Sequence, residues 1–156
     1  MFKRGLLKQY SSTVSLVARI MDAGLVVAIG LAAYAAHVDQ WPMNAHYPGM
    51  LVRAALLVLV IFPLFGVYQS WRGGGLVHEL RQCSLAWGTV LVILVMLAFV
   101  TKTGSDYSRV WLGLWALFGW AALLALHGFL RAWLRWIRKR GFNVRRVAVV
   151  GAGRLG

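Results

Sequence analysis

Apolar residues are concentrated in four long runs, which are separated by short polar stretches. The runs cover about Val14 to Ala36, Gly49 to Val67, Arg81 to Val100 and Val110 to Leu130. A helix needs about 20 residues, each rising about 1.5 Å, to cross the apolar core of a bilayer. The third run carries no charge after Arg81, whereas Arg19 and Asp22 lie in the opening turns of the first. The pattern predicts four transmembrane helices.

The composition agrees with an integral membrane protein. The chain of 156 residues is 60% hydrophobic and 13% charged, with a mean hydropathy of +0.69. Ordinary soluble domains are about 45–50% apolar and about 25% charged. Cys83 is the only cysteine, which excludes a disulfide framework and a cysteine-based metal site. The predicted fold class is therefore an all-α membrane protein with four transmembrane helices.

Lysine and arginine lie mainly on one side of the predicted helices. If the chain crosses four times, 14 of the 17 fall on the side of the two termini, and only Arg53, Lys102 and Arg109 fall on the other. Cytoplasmic segments of membrane proteins are enriched in these residues, so both termini are predicted to be cytoplasmic. The net charge of +13 is then explained by the topology of the chain and by the attraction of its basic residues to anionic lipid headgroups. No nucleic acid partner is predicted.

Two features of the first helix have alternative interpretations. Arg19 and Asp22 are three residues apart, hence on one helical face, and we interpret them as an ion pair near the inner interface. The alternative is that Arg19 holds a lipid phosphate. Small residues recur every four positions at Gly24, Ala28, Ala32 and Ala36, a spacing that lets another helix approach closely. We interpret this stripe as packing within the bundle, and a homodimer seam is the alternative.

The polar residues elsewhere predict no catalytic centre. No carboxylate and histidine cluster has metal-ligand spacing. His78 and Glu79 are interpreted as part of a solvated loop, and His127 as an interfacial residue. The basic and aromatic stretch 131–140, RAWLRWIRKR, prolongs the fourth helix and predicts an interfacial helix against anionic headgroups. Binding of an anionic lipid substrate there is the alternative. We predict no catalytic residue, no metal ligand and no cofactor in this chain.

The last 16 residues differ from the rest. The run Val147 to Val150 is followed by Gly151, Gly153 and Gly156, which is typical of the first strand and phosphate-binding turn of a Rossmann-like unit. The helix, the second strand and the acidic residue of that unit are absent, so the motif is incomplete. We predict a transmembrane domain at 1–140, with a C-terminal interfacial helix, and the truncated start of a Rossmann-like domain at 141–156. Such a sequence looks like the front part of a longer protein.

Three local motifs fit this outline. They are VYQSWRG at 67–73, YSRVW at 107–111, and RKRGFNVRRVAVVGAGRLG at 138–156. With the four spans, they resemble the amino-terminal membrane part of the polyisoprenyl-phosphate hexose-1-phosphate transferases. The resemblance covers essentially the whole chain.

The resemblance implies a multi-pass protein of the bacterial inner membrane that acts in exopolysaccharide or capsule assembly. Such enzymes move a sugar 1-phosphate from a UDP-sugar to undecaprenyl phosphate and release UMP. The family's chemistry, with acidic residues and magnesium, resides in a carboxy-terminal domain that no position here matches. Membrane lipids, undecaprenyl phosphate and a second copy of the chain are the partners it suggests.

Two other functions remain open. One is the membrane domain of an NAD-dependent nucleotide-sugar dehydratase, in which four spans also precede a Rossmann domain. The other is a non-enzymatic four-helix membrane module.

Overall fold

The structure of the protein is a computed structural model. It describes residues 6–38, 43–68 and 76–139. This part of the chain consists of four α-helices and one short 3₁₀ helix. They are α1 (Leu6–His37), α2 (His46–Leu64), α3 (Leu76–Val100), the 3₁₀ turn Gly104–Asp106 and α4 (Arg109–Lys139). All four α-helices are long and apolar enough to cross a membrane, so the predicted four long apolar helices are confirmed. We call the end of the bundle where α1 begins and α4 ends the base, and the opposite end the top.

The helices form an antiparallel bundle in which α1 packs against α2 and α4, and α3 packs against the same two helices. Buried residues recur three or four positions apart, so each helix turns one face inward. On α4 this buried stripe comprises Trp111, Trp115, Gly119, Leu123, His127 and Arg131. The outward faces carry exposed apolar side chains such as Leu64, Val92 and Phe99, as expected of helices that contact lipid.

Aromatic side chains fill the upper half of the core. Trp115 stacks on Trp111 with ring centroids 5.0 Å apart, and Trp87 meets Trp115 edge to face. Their indole N–H groups donate to carbonyls of neighbouring helices, from Trp111 to Gly30 and from Trp115 to Val26. Gly30 permits this close approach, because a Cβ there would clash with the Leu51 side chain and lie 2.9 Å from Nε1 of Trp115. These hydrogen bonds fix how closely α1 and α4 approach.

The end of α2 directs the chain back into the bundle. The Gly66 N–H donates to Pro63 O and the Val67 N–H donates to Phe62 O, which is the Schellman arrangement. Gly66 has φ of 72°, a left-handed conformation that glycine adopts without a steric penalty. Because the chain turns at this point, Tyr68 enters the core at the base.

Several sequence predictions need correction. α3 begins at Leu76, five residues before the predicted start at Arg81, so the interpretation of His78 and Glu79 as a loop is wrong. The stripe Gly24, Ala28, Ala32 and Ala36 is exposed, so its interpretation as packing within the bundle is also wrong. The homodimer seam remains a prediction.

The Rossmann-like segment is not supported by the described residues, which contain no strand. The strand predicted at 147–150 and the glycines Gly151, Gly153 and Gly156 lie outside them.

Candidate functional site

Ionisable side chains from three helices meet Tyr68 in the core at the base of the bundle. We call Asp22, Tyr68, Glu79, His127 and Arg131 the polar cluster. Asp22 on α1 is 1% exposed, and its Oδ2 accepts a hydrogen bond of 2.6 Å from the Tyr68 hydroxyl. The same oxygen lies 3.1 Å from Nε2 of His127 on α4. Asp22 thus joins α1 to α4 and to the segment after α2.

Glu79 extends the cluster to α3. Its Oε2 accepts a hydrogen bond of 2.5 Å from Nη1 of Arg131, and its Oε1 lies 3.5 Å from Nδ1 of His127. His127 therefore has a carboxylate oxygen facing each ring nitrogen. A carboxylate oxygen can only accept, so only the imidazolium form directs a proton to both Asp22 and Glu79.

The polar cluster is balanced in charge when His127 is protonated. Two carboxylates, Asp22 and Glu79, face two cations, His127 and Arg131. Ionisable groups inside membrane spans are costly unless they pair with one another, and here the bundle interior supplies the partners. Burial raises the pKa of the Tyr68 hydroxyl, and the negative charge of Asp22 raises it further, so Tyr68 remains a neutral donor. The cluster ties all four helices together at one end.

Arg19 lies beside the polar cluster, one turn below Asp22 on α1. Its guanidinium carbon is 5.4 Å from the centroid of the Tyr68 ring, a cation–π distance. Its Nε is buried and has no hydrogen-bond partner among the described residues. The predicted ion pair between Arg19 and Asp22 is wrong, because no such contact is present between these two described side chains and Asp22 faces Tyr68 and His127 instead.

Helical spacing explains how the polar cluster assembles. His127 and Arg131 are four residues apart and continue the buried stripe of α4. Glu79 is four residues before Cys83, which is buried on the inward face of α3. Asp22 lies on the inward face of α1 together with Ala23 and Val26. The helix patterns that build the apolar core therefore bring these polar side chains together.

Sequence reasoning missed most of the polar cluster. His127 is buried rather than interfacial, and Arg131 is turned into the bundle rather than toward headgroups. One signal was available: the acids nearest the base, Asp22 and Glu79, both fall on inward helical faces. Ionisable residues in spans usually face the bundle interior and pair. Trp71 and Arg72 of the VYQSWRG motif lie outside the described residues.

The polar cluster does not fit a magnesium site. Mg²⁺ is usually bound by one or two carboxylates together with water and substrate phosphates, whereas Asp22 and Glu79 face His127 and Arg131. Among the described residues, no group of three or more His, Cys, Asp or Glu side chains is arranged to hold a metal ion. No chemical step is assigned to this cluster.

A family model described as a CoA-binding domain matches residues 63–155, which is more than half of the chain. The chain belongs to this family. The matched range runs from the end of α2 through α3 and α4 and includes the glycine motif at 151–156, which lies outside the described residues.

Curated relatives extend the match to nearly the whole chain. A "UDP-glucose:undecaprenyl-phosphate glucose-1-phosphate transferase" of Xanthomonas campestris pv. campestris is 38% identical over 94% of the chain and 30% of the relative. Proteins with the same name from Klebsiella pneumoniae and Escherichia coli are 30% and 28% identical over 91% and 96% of the chain. The chain spans about 30% of the length of these relatives. No solved structure is significantly similar to it.

These relatives confirm the resemblance to the amino-terminal part of the polyisoprenyl-phosphate hexose-1-phosphate transferases.

Proposed function

We propose that this chain is the membrane-embedded part of a transferase that moves a hexose 1-phosphate from a UDP-sugar to undecaprenyl phosphate. The observation that carries the proposal is the similarity of nearly the whole chain to three relatives that share this activity in their names. Four helices suited to a membrane are consistent with an enzyme whose acceptor is a lipid. The reaction would start the assembly of an exopolysaccharide or capsule chain.

In this proposal the bundle anchors and orients the enzyme, while the transfer itself occurs in another part of the protein. The charge-balanced polar cluster supports a structural role, because its carboxylates already face His127 and Arg131. Magnesium, which the family resemblance implies, would act with that other part. The incomplete glycine motif Gly151, Gly153 and Gly156 would open a domain between the two.

The test is UMP release by the protein that carries this chain. Purified protein is incubated with UDP-glucose and other UDP-sugars, with undecaprenyl phosphate as acceptor and undecaprenol as the matched control. We expect UMP with undecaprenyl phosphate and none with undecaprenol, because only the first has a phosphate that can attack the sugar diphosphate. Absence of UMP with every donor would overturn the proposal, and NAD-dependent conversion of the UDP-sugar would favour the dehydratase.

We also propose that the base of the bundle faces the cytoplasm of a bacterial inner membrane. The supporting observation is the asymmetry of Lys and Arg between the two sides of the predicted spans. A reporter that works only in the cytoplasm should be active when fused after Gly156 and inactive when inserted at Gly104. A reporter that works only outside the cytoplasm should give the opposite result. The opposite pattern would reverse the proposed orientation.

A further inference from the structure

Arg19 is a positive charge inside a span, and no carboxylate of the described residues forms an ion pair with it. It lies five residues into the part of α1 that is apolar enough to cross a membrane, Ser15–His37. A charge within a span is costly, and charged side chains there therefore pair or reach toward the interface. Arg19 makes a cation–π contact with Tyr68, but its buried Nε has no hydrogen-bond partner among the described residues.

None of the described acidic side chains forms an ion pair with Arg19. There are four acids in all: Asp22, Asp39, Glu79 and Asp106. Asp22 and Glu79 contact His127 and Arg131 in the polar cluster, and Asp106 contacts His46 at the top of the bundle. Asp39 lies outside the described residues, two positions after the end of α1 at His37. An anion that neutralises Arg19 would therefore come from outside the described residues.

The surroundings of Arg19 indicate the kind of anion. Its neighbours Leu16 and Ile20 are 56% and 59% exposed, so in a membrane this face of α1 contacts lipid. A guanidinium presents a planar fork of N–H donors, which matches two oxygens of a phosphate. The Tyr68 ring restricts the motion of the Arg19 guanidinium on one side. Because this side chain is already restricted, it loses less conformational entropy when a ligand binds.

We propose that Arg19, held against Tyr68, binds the phosphate group of an anionic lipid at the base of the bundle. A polyprenyl phosphate and a phospholipid headgroup both provide this chemistry. The site itself does not depend on the proposed function, whereas its occupation by undecaprenyl phosphate does.

The first experiment measures protection of Arg19 in the wild-type protein. The protein carrying this chain is placed in phosphatidylcholine nanodiscs, treated with the arginine reagent phenylglyoxal, and analysed by peptide mass spectrometry. Undecaprenyl phosphate, undecaprenol and phosphatidylglycerol are added in parallel. We expect undecaprenyl phosphate to slow the modification of Arg19 several-fold relative to undecaprenol, with little change at Arg81, which is exposed near the start of α3.

Phosphatidylglycerol identifies the source of the phosphate. Equal protection by this lipid and by undecaprenyl phosphate would assign the site to general anionic headgroups, and weaker protection would assign it to the polyprenyl phosphate. The proposal would be overturned if phenylglyoxal modified Arg19 at equal rates with undecaprenyl phosphate and with undecaprenol, and phosphatidylglycerol also had no effect. UMP release could still occur in that case, so this failure is distinct from failure of the proposed function.

The second experiment compares variants that keep or remove the charge. Arg19→Gln should weaken binding of undecaprenyl phosphate by about tenfold to one-hundredfold, the range expected for hydrogen bonds to a charged group. Arg19→Lys should retain part of the affinity, and Arg81→Gln should change it little. Equal losses for Arg19→Gln and Arg81→Gln would show that only net charge matters and would overturn the proposal. If Arg19→Gln does not fold, the protection experiment on the wild-type protein decides the question.

Discussion

Replacement of His127 by alanine tests whether the polar cluster is coupled electrostatically. His127 is 1% exposed and lies between the carboxylates of Asp22, at 3.1 Å, and Glu79, at 3.5 Å. Its removal leaves a buried carboxylate, Asp22, and a partly buried one, Glu79, with Arg131 as the remaining cation. Loss of one partner from a buried ion pair costs about 3–5 kcal/mol, because the remaining charge is then uncompensated.

This free energy corresponds to a large change in thermal stability. For a protein of this size, 1 kcal/mol shifts the melting temperature by about 2–4 °C. We therefore expect His127→Ala to melt about 6–20 °C below the wild type. The measurement is thermal denaturation in detergent, followed by size-exclusion chromatography of the heated sample. His78→Ala is the matched control, since His78 is exposed at the same end of the bundle and its loss should have little effect.

Double variants separate the electrostatic explanation from a simple loss of packing. Asp22→Asn in the His127→Ala background restores charge balance, because Glu79 keeps Arg131 as its partner. We expect this double variant to recover much of the lost stability. Glu79→Gln in the same background should recover less, because Asp22 then remains buried without an adjacent cation. Identical melting temperatures for His127→Ala and both double variants would refute the reasoning.

Two further predictions concern the core and the base of the bundle. Gly30→Ala should lower the melting temperature, because the new methyl group would press on Leu51 and Trp115 and overpacking costs about 1–3 kcal/mol. Gly113→Ala is the control: its methyl group meets nothing within 4 Å, so it should leave stability unchanged or raise it by up to about 1 kcal/mol. The reverse ranking in the same thermal assay would contradict this packing. The folded-state pKa of Tyr68 is raised, so its contribution to stability is complete below about pH 10, the usual pKa of tyrosine, and is lost as the pH rises above that value. The melting temperature of the wild type should therefore fall more steeply above about pH 10 than that of Tyr68→Phe, and parallel curves for the two proteins would argue against the hydrogen bond to Asp22.

The sequence was most informative about the number of helices. Long apolar runs are a one-dimensional property, since each span must bury about 20 residues in lipid whatever its neighbours are. Four runs predict four helices, and the structure has them. The sequence was less informative about where the helices begin. Residues Leu76 to Leu80 mix apolar and polar side chains, and α3 nevertheless extends through them.

The polar cluster and the fate of Arg19 required the tertiary structure. Spacing of three residues places Arg19 and Asp22 on one face, and within an isolated helix they would pair. In the bundle, Asp22 has the Tyr68 hydroxyl at 2.6 Å and His127 at 3.1 Å, partners that are 46 and 105 residues away. The spacing of residues along one helix does not reveal contacts with other helices, so it cannot show that they replace the pair between Arg19 and Asp22.

The sequence by itself therefore determined that this protein has four apolar helices and strong charge asymmetry, and its motifs indicated the family. Only the tertiary structure decided which charges neutralise one another, because in a membrane-spanning bundle the strongest partner of a buried charge is set by which helices pack together. That packing pairs both nearby acids, Asp22 and Glu79, with side chains of α4, and Arg19 lies against the Tyr68 ring without an ion pair to any described acid.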